Sequence, residues 1–533
     1  MKIKSLFILL GILLSVNVNV NAELKMPKIF SNNMVLQRDI TLPIWGWTRS
    51  GEKVTINFKG QEKSTVASSN GKWMLKLDPL TASSEPAKLT VIATTGKKKF
   101  SNVLVGDVWL CSGQSNMGDN FNYPLNSKYP PGREIAEELK KIDNSLIRFV
   151  DRDGLGKVIP IPNDPPVFPY FGWQVCNNIT AKSFSCLGYY FGEKLQRELQ
   201  IPIGLVNVSR GCSSIEAWMP SEAFESNPKW KNYLDEIKEL QEFYSNYDQV
   251  SDEEKEKMFL KHCNSKYGEF PRRCYVVDGK LPRNKYNCVL GHMLVVKPAS
   301  LYNHAIRSII PFAFKGVIWY QGETNINDNQ YACKQQKLIE SWRKLWGQGD
   351  FPFYIVQLAP CRDGRDAPLP DFWVQQYEAV QKTPDTGLIS AIDIGNSNEY
   401  HPKNKWDVGL RLALLALHDT YGRKDIVASG PTYKSLKSEG NKIVISFDYI
   451  GSGLITKDGK KPEWFEIAGT DRKFVKADAV IDRDKVIVSN SSVKNPIYVR
   501  YAWNSKANTN LCNKEGLPTF PFNTAEPFFQ HIK

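Results

Sequence analysis

The chain has 533 residues, room for roughly two to four domains and at least one large core. Its 42% apolar and 23% charged residues are those of a globular protein and exclude a disordered chain. The net charge of +13 is spread along the sequence without a basic, aromatic-interleaved motif, so nucleic acid is not an expected partner.

At the N-terminus, Lys2 and Lys4 precede an apolar run from Leu6 to Leu14, and Val20-Asn21-Ala22 supplies a cleavage site before Glu23. This is the pattern of a signal peptide over residues 1–22, and its apolar run falls short of the about 20 residues that span a bilayer. No later segment reaches that length. The expectation is an exported protein, periplasmic or extracellular, without membrane insertion. Its ten cysteines are irregularly spaced and contain no CxxC pair, which disfavours zinc or thioredoxin-like chemistry. Cys111 and Cys212 read as small buried residues.

Residues 23–100 read as short strands with polar turns between them. Thr41 to Trp47, Val54 to Phe58 and Leu89 to Ala93 alternate or run apolar, which predicts an N-terminal β-sandwich. From residue 101 the rhythm changes. Five apolar runs follow: Val103 to Leu110, Ile203 to Val208, Gly316 to Tyr320, Phe353 to Leu358 and Gly387 to Asp393. Helical patterns occupy Lys182 to Leu199, Gln330 to Trp346, Phe372 to Gln381 and Lys405 to Tyr421. Buried strands alternating with helices predict an α/β domain over 101–424, three layers built on a five-stranded parallel sheet. Residues 225–298 break the alternation and read as an insertion that packs over the core; shaping substrate access is its second reading. It carries helical patterns at Tyr233 to Tyr244 and Asp252 to His262. Strand signals return after residue 425 and predict a C-terminal β-rich domain over 425–533.

In an open α/β sheet, ligands bind beyond the carboxyl ends of the strands. Here the first strand leads into Ser115, the second into Gly211, the third into Gln321-Gly322-Glu323 and the fifth towards His401. A nucleophile, a backbone donor, a side-chain donor and a base thus fall on one rim. A serine hydroxyl needs a neighbouring base, and His401 is the one histidine of six on this rim. Chain order does not matter to such a pair, only geometry.

The segments that carry these residues resemble the sialate O-acetylesterase family within the SGNH hydrolases. They are Gly106 to Met117, Ile215 to Pro220, Val317 to Asn325, His401 to Lys405 and Asn510 to Pro518. The resemblance runs over nearly the whole chain after the signal segment. It implies that Ser115 attacks an acetyl ester while His401 acts as general base. It implies that the oxyanion is held by the Ser115 and Gly211 backbone N–H groups and the Gln321 side-chain amide. No metal or other cofactor is implied, and the partner is a small-molecule or glycan substrate.

The chain departs from the family pattern in two places. Gly211-Cys212 stands where many relatives carry Gly-Gly. Asn398 stands three residues before His401, where many SGNH hydrolases place an Asp. Glu399 is the favoured replacement acid, Asp393 is the rival, and a bare Ser–His dyad steered by a backbone carbonyl is the third option. Glu323 reads as a residue that orders the rim by hydrogen bonding. O-acetylated sialic acid is the leading substrate. Acetylated xylan or another polysaccharide is the alternative, and a non-catalytic carbohydrate-binding protein on the same scaffold is the reading from a different class.

Overall fold

The computed structural model describes residues 23–125, 134–151, 171–245, 295–361, 369–395 and 400–530, with a few isolated positions between 249 and 254. Residues 1–22, where a signal peptide is expected, Glu399 and the Asp252 to His262 helical pattern, apart from Glu253 and Glu254, lie outside the described residues.

The central sheet contains strands β1 (Gly96–Gly113), β2 (Asp143–Val150), β3 (Gln174–Asn177), β4 (Ile203–Ser209), β5 (Gly316–Tyr320), β6 (Phe353–Val356) and β7 (Thr386–Ile389). Their order across the sheet is β7-β6-β5-β1-β4-β2-β3. All neighbours pair in parallel except β2 with β3, which are antiparallel. Among the described residues the parallel array therefore has six strands and not the expected five. The additional one, β2, begins with Asp143-Asn144-Ser145 and becomes continuously buried only at Ile147, so it lacks the apolar run that marks the others.

Among the described residues, four long helices cover this sheet: α2 (Cys186–Leu199), α3 (Tyr331–Trp346), α4 (Leu369–Gln381) and α5 (Lys405–Asp419). Two tryptophans show how the layers form. Trp109 of β1 pairs in register with Gly316 of β5, and Trp319 lies three residues further along β5. Successive side chains alternate between faces, so the two indoles point to opposite sides. Trp109 packs on Phe191 of α2, and Trp319 packs edge-on against Trp342 of α3. Both indoles are fully buried. On the α2 side, Gly409 lets α5 come close: a Cβ there would stand 2.6 Å from the Leu187 carbonyl oxygen.

β1 is long because it serves two sheets. Its first half pairs antiparallel with Ser83–Ala93 and parallel with Val35–Gln37, and its second half enters the central sheet. Beside these lies a two-stranded pairing of Leu42–Trp47 with Lys72–Leu77. Near the other terminus, Thr432–Glu439, Lys442–Asp448, Lys485–Ser489 and Asp478–Asp482 form one antiparallel sheet. A second includes Phe465–Ala468 and Tyr498–Tyr501. The helical pattern at Tyr233 to Tyr244 falls within a helix, Lys231–Ser245. Among the described residues, no helix is long and apolar enough to cross a membrane.

Candidate active site

β1 ends between β4 and β5, and that position shapes the turn after it. Ser209 of β4 and Tyr320 of β5 both stand beside Gly113. Gly113 has φ of +133°, and a Cβ there would stand 2.2 Å from the Tyr320 carbonyl oxygen. The turn is pinned on both sides: Gln114 N–H donates to Tyr320 O at 2.9 Å, and Arg210 N–H donates to Gly113 O at 2.9 Å. Ser115 then opens a one-turn helix, α1 (Ser115–Gly118). The N–H groups of Met117 and Gly118 both reach Gln114 O, at 3.0 and 3.1 Å. The N–H of Ser115 precedes any helical acceptor, as in the first turn of every helix, and points outward from it.

Ser115 Oγ lies 2.7 Å from His401 Nε2. His401 sits just before α5, whose N-cap Asn404 accepts a hydrogen bond from Asp407 N–H at 3.1 Å. The His401 carbonyl accepts from Tyr123 Oη at 2.8 Å, and the two rings meet edge-on at 5.5 Å. Gly211 follows β4 and lies against Ser115: a Cβ at Gly211 would stand 3.5 Å from Ser115 Cβ. Ser115, Gly211 and His401 are thus brought together.

Gln321 differs from expectation. Its Nε2 donates to Ser213 O at 3.0 Å and to Asn325 Oδ1 at 2.9 Å, while its Oε1 accepts from Tyr331 Oη at 2.9 Å. Both amide hydrogens are committed inside the protein, so the side chain braces the loop after Gly211 and has none left for an oxyanion. Asn325 continues the brace, accepting from Ile215 N–H at 2.9 Å and donating to Glu216 Oε2 at 3.1 Å. Lys334 closes it, 2.5 Å from Glu216 Oε1 and 2.7 Å from Asp328 Oδ2. Burial pushes the Glu216 carboxyl up, but Lys334, with the hydrogen bonds from the backbone and Asn325, outweighs it and holds the group below its ordinary range.

Asp393 is also placed differently. Its carboxylate is held by both Arg411 nitrogens, at 2.7 and 2.8 Å, and by Lys457. Burial would raise its pKa, yet these two cations keep it depressed. A carboxylate so engaged is a structural anchor at the end of the fifth predicted strand rather than a partner for His401. Cys111 is buried as expected, but Cys212 is exposed. It has φ of +60°, the left-handed conformation that the second Gly of a Gly-Gly pair would adopt more easily.

The carboxylate nearest His401 among the described residues is one that the sequence motifs do not single out. Asp119 Oδ2 lies 3.5 Å from His401 Nδ1 and 3.0 Å from Lys405 Nζ. Lys405 is 1% exposed and also donates to Asn116 Oδ1 at 2.5 Å. Asn116 Nδ2 in turn donates to Glu323 Oε1 at 2.5 Å and to the Tyr400 carbonyl at 3.2 Å. Burial pushes the Glu323 carboxyl up to about 7, against the opposing pull of Asn116 and Lys405. A signal for Asp119 is present in the spacing: it stands four residues after Ser115, and i,i+4 residues share a helix face.

Comparison with known proteins identifies the class. A carbohydrate acetylesterase from Xanthomonas citri superposes with a TM-score of 0.74 at 31% identity, covering 94% of this chain and 99% of that one. The chain is an esterase that removes O-acetyl groups from carbohydrate.

The family profile described as carbohydrate esterase, sialic acid-specific acetylesterase, matches residues 291–417. Sialate O-acetylesterase of Mus musculus is 28% identical over 510 residues, 89% of this chain and 88% of the mouse protein. The Homo sapiens protein of the same name is 27% identical over 508 residues, 89% of this chain and 86% of the human one. The chain belongs to the sialic acid-specific acetylesterase family of carbohydrate esterases.

Proposed function

We propose that this protein is a serine O-acetylesterase of the SGNH type, with Ser115 as nucleophile, His401 as general base and O-acetylated sialic acid as substrate. The observation that carries the reading is the 2.7 Å approach of Ser115 Oγ to His401 Nε2 at the carboxyl end of β1. Ser115 Oγ attacks the acetyl carbonyl and its proton passes to His401 Nε2. The Ser115 and Gly211 N–H groups face the developing oxyanion; loss of one such donor commonly costs about 10²–10³ in turnover. Collapse breaks the bond between the acyl carbon and the sugar oxygen, and His401 returns the proton to that oxygen. Water, deprotonated by His401, then attacks the acetyl-serine, and acetate leaves as Ser115 recovers its proton. Base help of this kind is worth about 10²–10⁴-fold.

The choice of sialic acid over acetylated xylan rests on the family and on the sialate esterases among its relatives, because the rim residues address the acetyl group rather than the sugar. Acetate release measured side by side from O-acetylated sialic acid and acetylated xylan tests this. The expected result is a clear preference for the sialic acid and loss of at least about 10²-fold in Ser115→Ala. Preference for xylan would overturn the substrate, and full activity in Ser115→Ala would overturn the mechanism.

A further inference from the structure

We infer that Asp119, held by Lys405, is the carboxylate that positions His401 and stabilises its protonated form, so that the acid of the site lies on the nucleophile's own turn. The inference rests on the proposed Ser115–His401 pair. Asp393 is taken by Arg411 and Lys457, and the position three residues before His401 is Asn398.

Three features of Asp119 support the role. Its backbone is fixed one helical turn from Ser115, with Asp119 N–H donating to Ser115 O at 2.8 Å and Asp119 O accepting from Cys186 N–H at 2.9 Å. Ser185 Oγ, which caps α2, also donates to Met117 O at 2.6 Å, so the acid and the nucleophile share one braced element. Finally, Asp119 Oδ2 is buried, accepts no hydrogen bond among the described residues, and has its two nearest charged neighbours in Lys405 and the Nδ1 side of His401. A separation of 3.5 Å is an ion-pair distance, and catalytic contacts of this kind commonly tighten when substrate binds.

Lys405 gives the arrangement its second part. Its ammonium lies between Asp119 Oδ2 and Asn116 Oδ1, with the Tyr123 ring 5.8 Å away. It therefore holds the same carboxylate oxygen, Oδ2, that faces His401 Nδ1. The groups that face His401 are Asp119 and Tyr123 from the segment after Ser115 and Lys405 from α5. Glu323 joins them through Asn116, and Tyr400 and Lys403 flank His401 in sequence. Asp119 is the nearest anion in this set.

The test is the pH profile of kcat/KM for acetate release by the full-length protein. Activity requires neutral His401, so the acid limb reads its pKa in the free enzyme. Removing the Asp119 charge destabilises the imidazolium. Asp119→Asn, close to isosteric, is expected to lose at least about tenfold in kcat with little change in KM, and its acid limb should move to lower pH. Asp119→Glu, which keeps the charge, should return the limb toward wild type and covers the case in which the Asn variant folds poorly. Glu399→Gln should keep the wild-type limb. An unshifted limb in Asp119→Asn, or a limb that moves in Glu399→Gln instead, overturns the inference. Either result combined with an inactive Ser115→Ala would leave the Ser–His reading standing and remove only this one.

Discussion

The position of one proton on Glu323 carries a consequence for stability. This carboxyl sits in the rim with Oε1 on Asn116 and Oε2 buried without a hydrogen-bond partner among the described residues. Burial raises its pKa from 4.5 to about 7 in the folded protein. The folded state thus holds this proton more tightly than the unfolded chain does. Below 4.5 both states are protonated and the group contributes no difference. As pH rises from 4.5 through 7, the unfolded state gains from ionisation first and stability falls, by about 1.4 kcal/mol for each pH step of one across that window. Glu323→Gln cannot ionise, so its melting temperature relative to wild type should rise between about pH 4 and pH 8. Thermal unfolding at the two pH values checks this, and a difference that stays constant would mean that burial does not hold the proton on Glu323. Legibility in the sequence is uneven at this scale. Ser115 and His401 are legible because each follows a buried strand. Asp119 is legible only in part: its spacing places it on the turn of Ser115, but nothing local ties it to His401, far along the chain, or to the fifth strand, where a partner acid is expected. The hydrogen-bonding direction of Gln321 depends on Ser213, Asn325 and Tyr331, which converge only in the folded chain.

Among the elements, the end of β1 is the most tightly constrained. It lies between two parallel neighbours, and the chain must leave the sheet there at once to present Ser115. Gly113 makes that exit possible because its missing Cβ is the space occupied by the Tyr320 carbonyl of β5. Gly113→Ala is therefore expected to be severely destabilising, by about 4 kcal/mol or more, since both the φ of +133° and the backbone contact resist a methyl group. Chemical denaturation of the variant measures it. A loss below about 1 kcal/mol would show that β1 and β5 can separate at this point without cost. The elements themselves are largely readable from sequence. The predicted helix Gln330 to Trp346 differs by one residue from Tyr331–Trp346, and Lys405 is the first residue of α5 in both. These patterns are clear because each element buries one continuous face. β2 is hidden because half of it faces solvent, and its place beside β4 follows from pairing that no local pattern records.

At the scale of the whole molecule, the site depends on joints between distant parts of the chain. Asp107, where β1 enters the central sheet, accepts two hydrogen bonds at 3.0 Å from Arg38 and one at 2.9 Å from Tyr421, just beyond α5. The strand that leads to Ser115 and the helix that follows His401 are thus tied together at the end remote from the rim where those two residues meet. Lys457, from the C-terminal strands, reaches back to Asp393 near the end of β7. The flanking β-rich regions therefore brace the central sheet from both sides. The proposed chemistry nonetheless turns on one hydroxyl. The most direct test is to label the protein with a fluorophosphonate, which phosphonylates an activated serine, and to map the adduct by peptide mass spectrometry. The expected result is a single adduct on the peptide containing Ser115, formed in step with loss of esterase activity and absent from His401→Ala. An adduct on another serine, or full activity after complete labelling of Ser115, would contradict it.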